Sequence, residues 1–164
     1  FYLINGFLLE SVNIWNMLPI SMLLFSTEYY KLLKQNMACL KPFYVSFMWT
    51  FATVILPCFL HDQNYEILLD GYGYLPCALN LFALTNLADI KDIEEDTQNS
   101  IQTLPVKIGE TNTTALIYAS LASSSLLFGL HPHDLDRPYI HILFEIQNII
   151  ISILVWCNYH PNNS

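Results

Sequence analysis

The chain has 164 residues, enough for one domain with its own core and too few to require two. Apolar residues make up 54% and charged residues only 12%, about half the charged share of an ordinary soluble domain. That leaves too little polar surface to cover a globule in water. A net charge of −8 without a basic stripe excludes a nucleic-acid surface.

The apolar residues fall in blocks. Phe1–Glu10 reads as the tail of a spanning helix. Ser11–Thr27, Pro42–Leu60, Gly71–Ala88 and Thr111–Leu130 each lack Asp, Glu, Lys and Arg, and each approaches the roughly 20 residues that cross a bilayer. Pro138–Trp156 makes a further block, interrupted only by His141 and Glu145. One such block fits a buried helix of a soluble bundle, but five in series leave no solvated face. The expected fold is all-α: a polytopic transmembrane helical bundle with about six helices in residues 1–164, forming a single domain.

Alternation across the membrane sorts the loops. Lys31–Lys41 and Asp89–Glu110 fall on one side, with the C-terminal tail; Glu10–Asn13, His61–Asp70 and His131–Pro138 fall on the other. Lys31, Lys34, Lys41, Lys91 and Lys107 all lie on the first side and only Arg137 on the second. Short loops rich in Lys and Arg stay inside, so the first side is expected to face the cytoplasm or its topological equivalent. Pro42 and Pro138 stand where helices start, and Pro57 and Pro76 lie inside spans. Cys39, Cys58, Cys77 and Cys157 are scattered without zinc-like or disulfide spacing. Glu145, with His141 at i−4 and Gln147 and Asn148 nearby, is the polar group within the last span and receives no role.

Carboxylates concentrate just past the Gly71–Ala88 block. In helical geometry Asp89, Asp92 and Asp96, at i, i+3 and i+7, share one face, with Thr85 a turn earlier and Asn99 just after, while Glu94 and Glu95 point elsewhere. Three like charges at a membrane boundary repel one another and are poorly hydrated, so a cation is expected among them. Mg2+ suits carboxylates that leave coordination positions to water and to substrate phosphates. A diphosphate bridged by Mg2+, with its hydrocarbon tail in the apolar bundle, uses both halves of the sequence. On the same side Tyr30 and Lys34 stand at i, i+4, a phenol and an ammonium suited to diphosphate oxygens.

Asp89-Ile-Lys-Asp92-Ile-Glu-Glu-Asp96 followed by Thr103-Leu-Pro-Val-Lys-Ile-Gly109 resembles the second aspartate-rich motif of the UbiA superfamily of intramembrane prenyltransferases, and Tyr30–Lys34 matches that family's YxxxK element. The resemblance implies an all-helical bundle that moves a prenyl group from a prenyl diphosphate to an aromatic or other lipophilic acceptor, as in quinone or prenylated-lipid biosynthesis. It implies Asp92 and Asp96 as Mg2+ carboxylates, with Asp89 assisting and with Lys34 and Tyr30 on the diphosphate; Asn99 joins them as a substrate contact on the carboxylate face.

The chain departs from the family in two places. No NxxxDxxxD motif precedes Tyr30, where the acids are Glu10 and Glu28, and Thr97-Gln98 stands where relatives carry a basic residue. The sequence is therefore expected to be the C-terminal two-thirds of a larger prenyltransferase; the alternative is a degenerate, non-catalytic relative that binds a prenyl lipid or a protein partner. A soluble prenyl synthase predicts amphipathic charged helices, and a transporter predicts carboxylates at mid-span.

Overall fold

A computed structural model describes residues 21, 25–26, 28–30, 32, 36–57, 71–130 and 138–159, and the expected N-terminal stub, most of the Ser11–Thr27 span, Lys34 and the loops His61–Asp70 and His131–Arg137 lie outside them. Among the described residues every regular element is helical, which bears out the all-α expectation.

A single 3-10 turn, Ala38–Leu40, leads into α1 (Lys41–Thr50), where Pro42 occupies the first turn and loses no helical hydrogen bond by lacking an N–H. The helix then widens into a π turn, Phe51–Ile55, just ahead of Pro57. A proline removes the bond to the carbonyl four residues back, and a wider turn there is a common local response. Then come α2 (Gly71–Lys91), with Pro76 inside it, the short α3 (Ile93–Gln98) and α4 (Leu104–Ile108), and the long α5 (Glu110–Gly129) and α6 (Pro138–Tyr159).

The central element is α2. It packs most extensively on α5, then on α1, and also touches α6. Ala83, Leu87 and Ile90 of α2 meet Ile117 and Leu121 of α5 and Ile151 and Val155 of α6 in one core. Small polar residues let the backbones approach: Ser46 and Thr50 face inward from α1, and Thr113, Ser120 and Ser124 from α5. The Ser124 hydroxyl donates to the Pro76 carbonyl oxygen at 2.8 Å, joining α5 to α2. Large apolar side chains point the other way, as with Phe47 at 59% exposed, Trp49 at 58% and Leu143 at 64%.

Among the described residues one helix, Ala38–Ile55, is long and apolar enough to cross a membrane, with mean hydropathy 1.3 over 18 residues; Ile142–Cys157 is a shorter apolar helix. Among the described residues, then, one of the expected spans meets that measure. The reason is compositional: α2 carries Asn80, Thr85, Asn86 and Asp89, and α5 carries a run of Thr and Ser, so uncharged blocks are not uniformly apolar ones.

Candidate functional site

The carboxylate stripe sits at the C-terminal end of α2. Regular α-helix ends at Lys91; Asp92 takes φ −96°, ψ 7°, and α3 restarts at Ile93. Aspartate favours such junctions because its short side chain competes for backbone hydrogen bonds. The Asp96 N–H still donates to the Asp92 carbonyl at 2.8 Å, so the chain keeps its heading through the break.

The expected equal face becomes a gradient. Asp89 is 1% exposed, Asp96 is half-buried, and Asp92 is exposed with Glu94 and Glu95. Asn99 caps α3 at an exposed turn, its N–H donating to the Glu95 carbonyl. Thr85 donates its hydroxyl to the Leu81 carbonyl at 2.8 Å, inside its own helix.

Asp89 meets a cation from 48 residues away: the Lys41 ammonium, at the start of α1, donates to Asp89 Oδ1. The second oxygen, Oδ2, is buried with no hydrogen-bond partner. Burial pushes the Asp89 carboxyl above its usual range; Lys41 pulls it down, and the Asp96 and Asp92 carboxylates push it further up. This residue stands one position past the Gly71–Ala88 block. Lys41 in turn feels Tyr30 and Asp96, so Tyr30, Lys41, Asp89 and Asp96 form one electrostatic cluster.

The Thr103–Gly109 segment builds this cluster from behind. Ser100, at φ 59°, turns the chain after α3, and the Ile101 N–H returns to the Asp96 carbonyl at 2.8 Å. Pro105 then starts α4 and is buried, and α4 packs against both α2 and the Ala38–Leu40 turn. The turn that delivers Lys41 therefore rests on the loop that follows the aspartates.

Beside the cluster lies an aromatic groove of about 510 Å3, lined by Phe25, Tyr29, Tyr44, Phe47 and Phe51 with Ser26 and Met48. Tyr30 stacks on Tyr44 with ring centroids 6.4 Å apart, and the Tyr44 hydroxyl donates to the Ser26 carbonyl. The groove and the charged cluster thus share a wall.

Among the described residues no three His, Cys, Asp or Glu side chains gather closely enough to hold one ion. The donor set still suits Mg2+, which takes one or two protein carboxylates and fills its other positions with water and phosphate oxygens. The unpartnered Asp89 Oδ2 is the kind of atom such a shell would satisfy.

A family model described as VviA prenyltransferase matches residues 71–131, which run from α2 through α5 and include Asp89, Asp92, Asp96 and Gly109. Over that stretch the chain is similar to a prenyltransferase family. No curated protein and no solved structure matches the chain.

The motif spacing is local and legible, but the role of Lys41 is not visible in the sequence. Its pairing with Asp89 depends on how α1 packs on α2. The aromatic groove escaped for the same reason, since its walls come from helices whose facing sides are set by packing.

Proposed function

We propose that the protein transfers a prenyl group from a prenyl diphosphate to a lipophilic acceptor inside a membrane, with Mg2+ on the diphosphate. The observation that carries this reading is the Asp89–Lys41 pair at the end of α2, graded outward through Asp96 to Asp92, with an aromatic groove reached through the Tyr30–Tyr44 stack. Charge at the mouth and aromatic rings behind it match a ligand with a diphosphate head and a hydrocarbon tail.

In this reading Asp92 and Asp96 would hold Mg2+, with Asp89 assisting from its pair with Lys41. When bound, Mg2+ neutralises the charge that develops on the departing diphosphate. Lys41, with Lys34 and Tyr30, orients the diphosphate so that the allylic C–O bond breaks with its electron pair on the leaving oxygen; Asn99 contacts the head group from the exposed turn. The rings of Tyr44, Phe47 and Phe51 offer their negative faces to the allylic cation and keep water from it. The acceptor then supplies the electron pair for the new C–C bond and loses a proton.

The reading includes a polytopic bundle of about six helices, with the Lys and Asp loops on the cytoplasmic or equivalent side. The inward Ser, Thr and Asn residues and the outward Phe, Trp and Leu residues support it, because membrane helices pack through small polar residues and face lipid with large apolar ones.

The test supplies membranes carrying the protein with labelled prenyl diphosphates, candidate aromatic acceptors and Mg2+. Asp92→Ala and Asp96→Ala should each lower turnover at least a hundredfold, about 3 kcal/mol of transition-state stabilisation, and EDTA should abolish it. Turnover indifferent to both substitutions would refute the roles.

A second reading is favoured by one observation: Lys41 already neutralises Asp89. A non-catalytic relative that binds a prenyl lipid would need no more charge than this. It predicts saturable binding of prenyl diphosphate with no transfer to any acceptor.

A further inference from the structure

A second cavity, of about 640 Å3, opens between α5 and α6 and shares no residue with the charged cluster or the aromatic groove. Its floor is a polar network. The Ser125 hydroxyl donates to Glu145 Oε2 at 3.0 Å, and Asn148 Nδ2 donates to Ser125 Oγ at 2.7 Å. Ser125 has one proton and spends it on Glu145, so the facing Asn148 group must be its NH2. The opposite amide orientation would set that single proton between two acceptors.

This orientation fixes what remains. Asn148 is 5% exposed, and its Oδ1 is buried with no hydrogen-bond partner. The Tyr118 hydroxyl is directed at the Ser152 carbonyl at 3.4 Å, and the Ser152 hydroxyl at the Asn148 carbonyl at 2.9 Å. The hydroxyl donors of Tyr118, Ser125 and Ser152 are thus committed to the protein, while an amide oxygen and a carboxylate remain as acceptors. A buried acceptor without a donor is costly, more so in an apolar surround. Ile149 at 57%, Ile153 at 54% and Trp156 at 60% exposed form an apolar rim around this polar floor.

We propose that the α5–α6 groove binds a lipophilic molecule through a donating head, a hydroxyl or an amine, that hydrogen-bonds to Asn148 Oδ1 and Glu145. The apolar body lies along Ile149 and Ile153, between the rings of Tyr118 and Trp156. Charge and donor complementarity select this occupant. A methyl ether or hydrocarbon would leave both acceptors unmet, and an anion would face Glu145. The groove stands apart from the site assigned to prenyl transfer, so failure of that assignment leaves it untouched.

The experiment uses the full chain in phosphatidylcholine vesicles with three photoreactive probes of equal chain length, carrying a diazirine and ending in an alcohol, an amine or a methyl ether. Crosslinks are mapped by peptide mass spectrometry. Alcohol or amine should label peptides of α5 and α6 at least about fivefold above the ether, the effect of one net hydrogen bond. Asn148→Leu should bring labelling down to the ether level. Glu145→Gln should spare the alcohol and weaken the amine, separating a neutral head from a cationic one. Excess unlabelled dodecanol should displace the alcohol probe from the wild-type chain, a control that needs no variant to fold. Equal labelling by the ether, labelling indifferent to Asn148→Leu, or crosslinks outside α5 and α6 would overturn the proposal.

Discussion

Asp89 is a carboxylate sealed between helices, and one amine answers it. Removing one partner of a buried pair costs far more than the pair contributes, because the remaining charge stays behind without its counter-charge. Lys41→Met should therefore destabilise the fold by about 3 kcal/mol, and the double variant Lys41→Met/Asp89→Asn should recover most of that loss. Thermal unfolding of both in one detergent measures the difference. The pH dependence follows from the raised carboxyl. A raised acid holds its proton more tightly in the folded chain, so its contribution is complete below the ordinary aspartate value of about 3.9 and is lost as pH rises through the raised one. Lys41 is the influence that lowers it; without Lys41 that window moves to higher pH. The deficit of Lys41→Met against wild type should accordingly shrink as pH falls. An unchanged deficit would mean that the pair contributes packing rather than charge.

At the scale of elements, the short linkers carry the geometry. Gly109 joins α4 to α5 at φ 87°, ψ 156°, a conformation open essentially to glycine, and a Cβ built there meets nothing within 4 Å. Gly109→Ala should cost about 1–3 kcal/mol through the backbone alone. Gly129, at the end of α5, also has open space around a Cβ but no positive φ, so Gly129→Ala should stabilise by up to about 1 kcal/mol. Opposite shifts in melting temperature from the same substitution check the assignment. These linkers also show what the sequence discloses. Pro42, Pro138 and the Thr103–Gly109 motif mark helix starts and a turn locally, and the structure has them there. The carboxylate spacing predicts Asp89, Asp92 and Asp96 on one helix face, whereas α2 ends at Lys91 and Asp96 lies on α3. It did not disclose that Asp89 turns inward while Asp92 stays exposed, nor that Lys41 closes the pair. Those depend on how α1 and α4 pack on α2, contacts between segments tens of residues apart. Lys34 lies outside the described residues, so the expected Tyr30–Lys34 pair is seen only through Tyr30.

At the scale of the molecule, the described residues bury polar groups beside the apolar core and turn large apolar side chains outward. Asn80, Asn86, Ser120 and Ser124 are almost fully buried, while Phe43, Phe47, Trp49, Ile142 and Leu143 are mostly exposed. In water that arrangement would expose far more contiguous apolar surface than a soluble monomer carries; against lipid tails it is the stable one. The Lys-rich loops add a direction, and together the two make a topology that can be tested. With the native cysteines changed to Ser, single-cysteine variants Gln98→Cys and Glu110→Cys report the loop after α2, and Asp62→Cys reports the loop before it. Sealed vesicles of known orientation, treated with a membrane-impermeant maleimide, should label Gln98→Cys and Glu110→Cys from the cytoplasmic face and Asp62→Cys only after permeabilisation. The α2 helix has 21 residues, about 31 Å at 1.5 Å per residue, which is enough to separate the two loops by a hydrocarbon core of about 30 Å. Labelling of all three from one face would mean that α2 turns its polar row toward water instead of crossing. The diphosphate mouth and the aromatic groove would then lie on a surface, and membrane-embedded prenyl transfer would lose its basis.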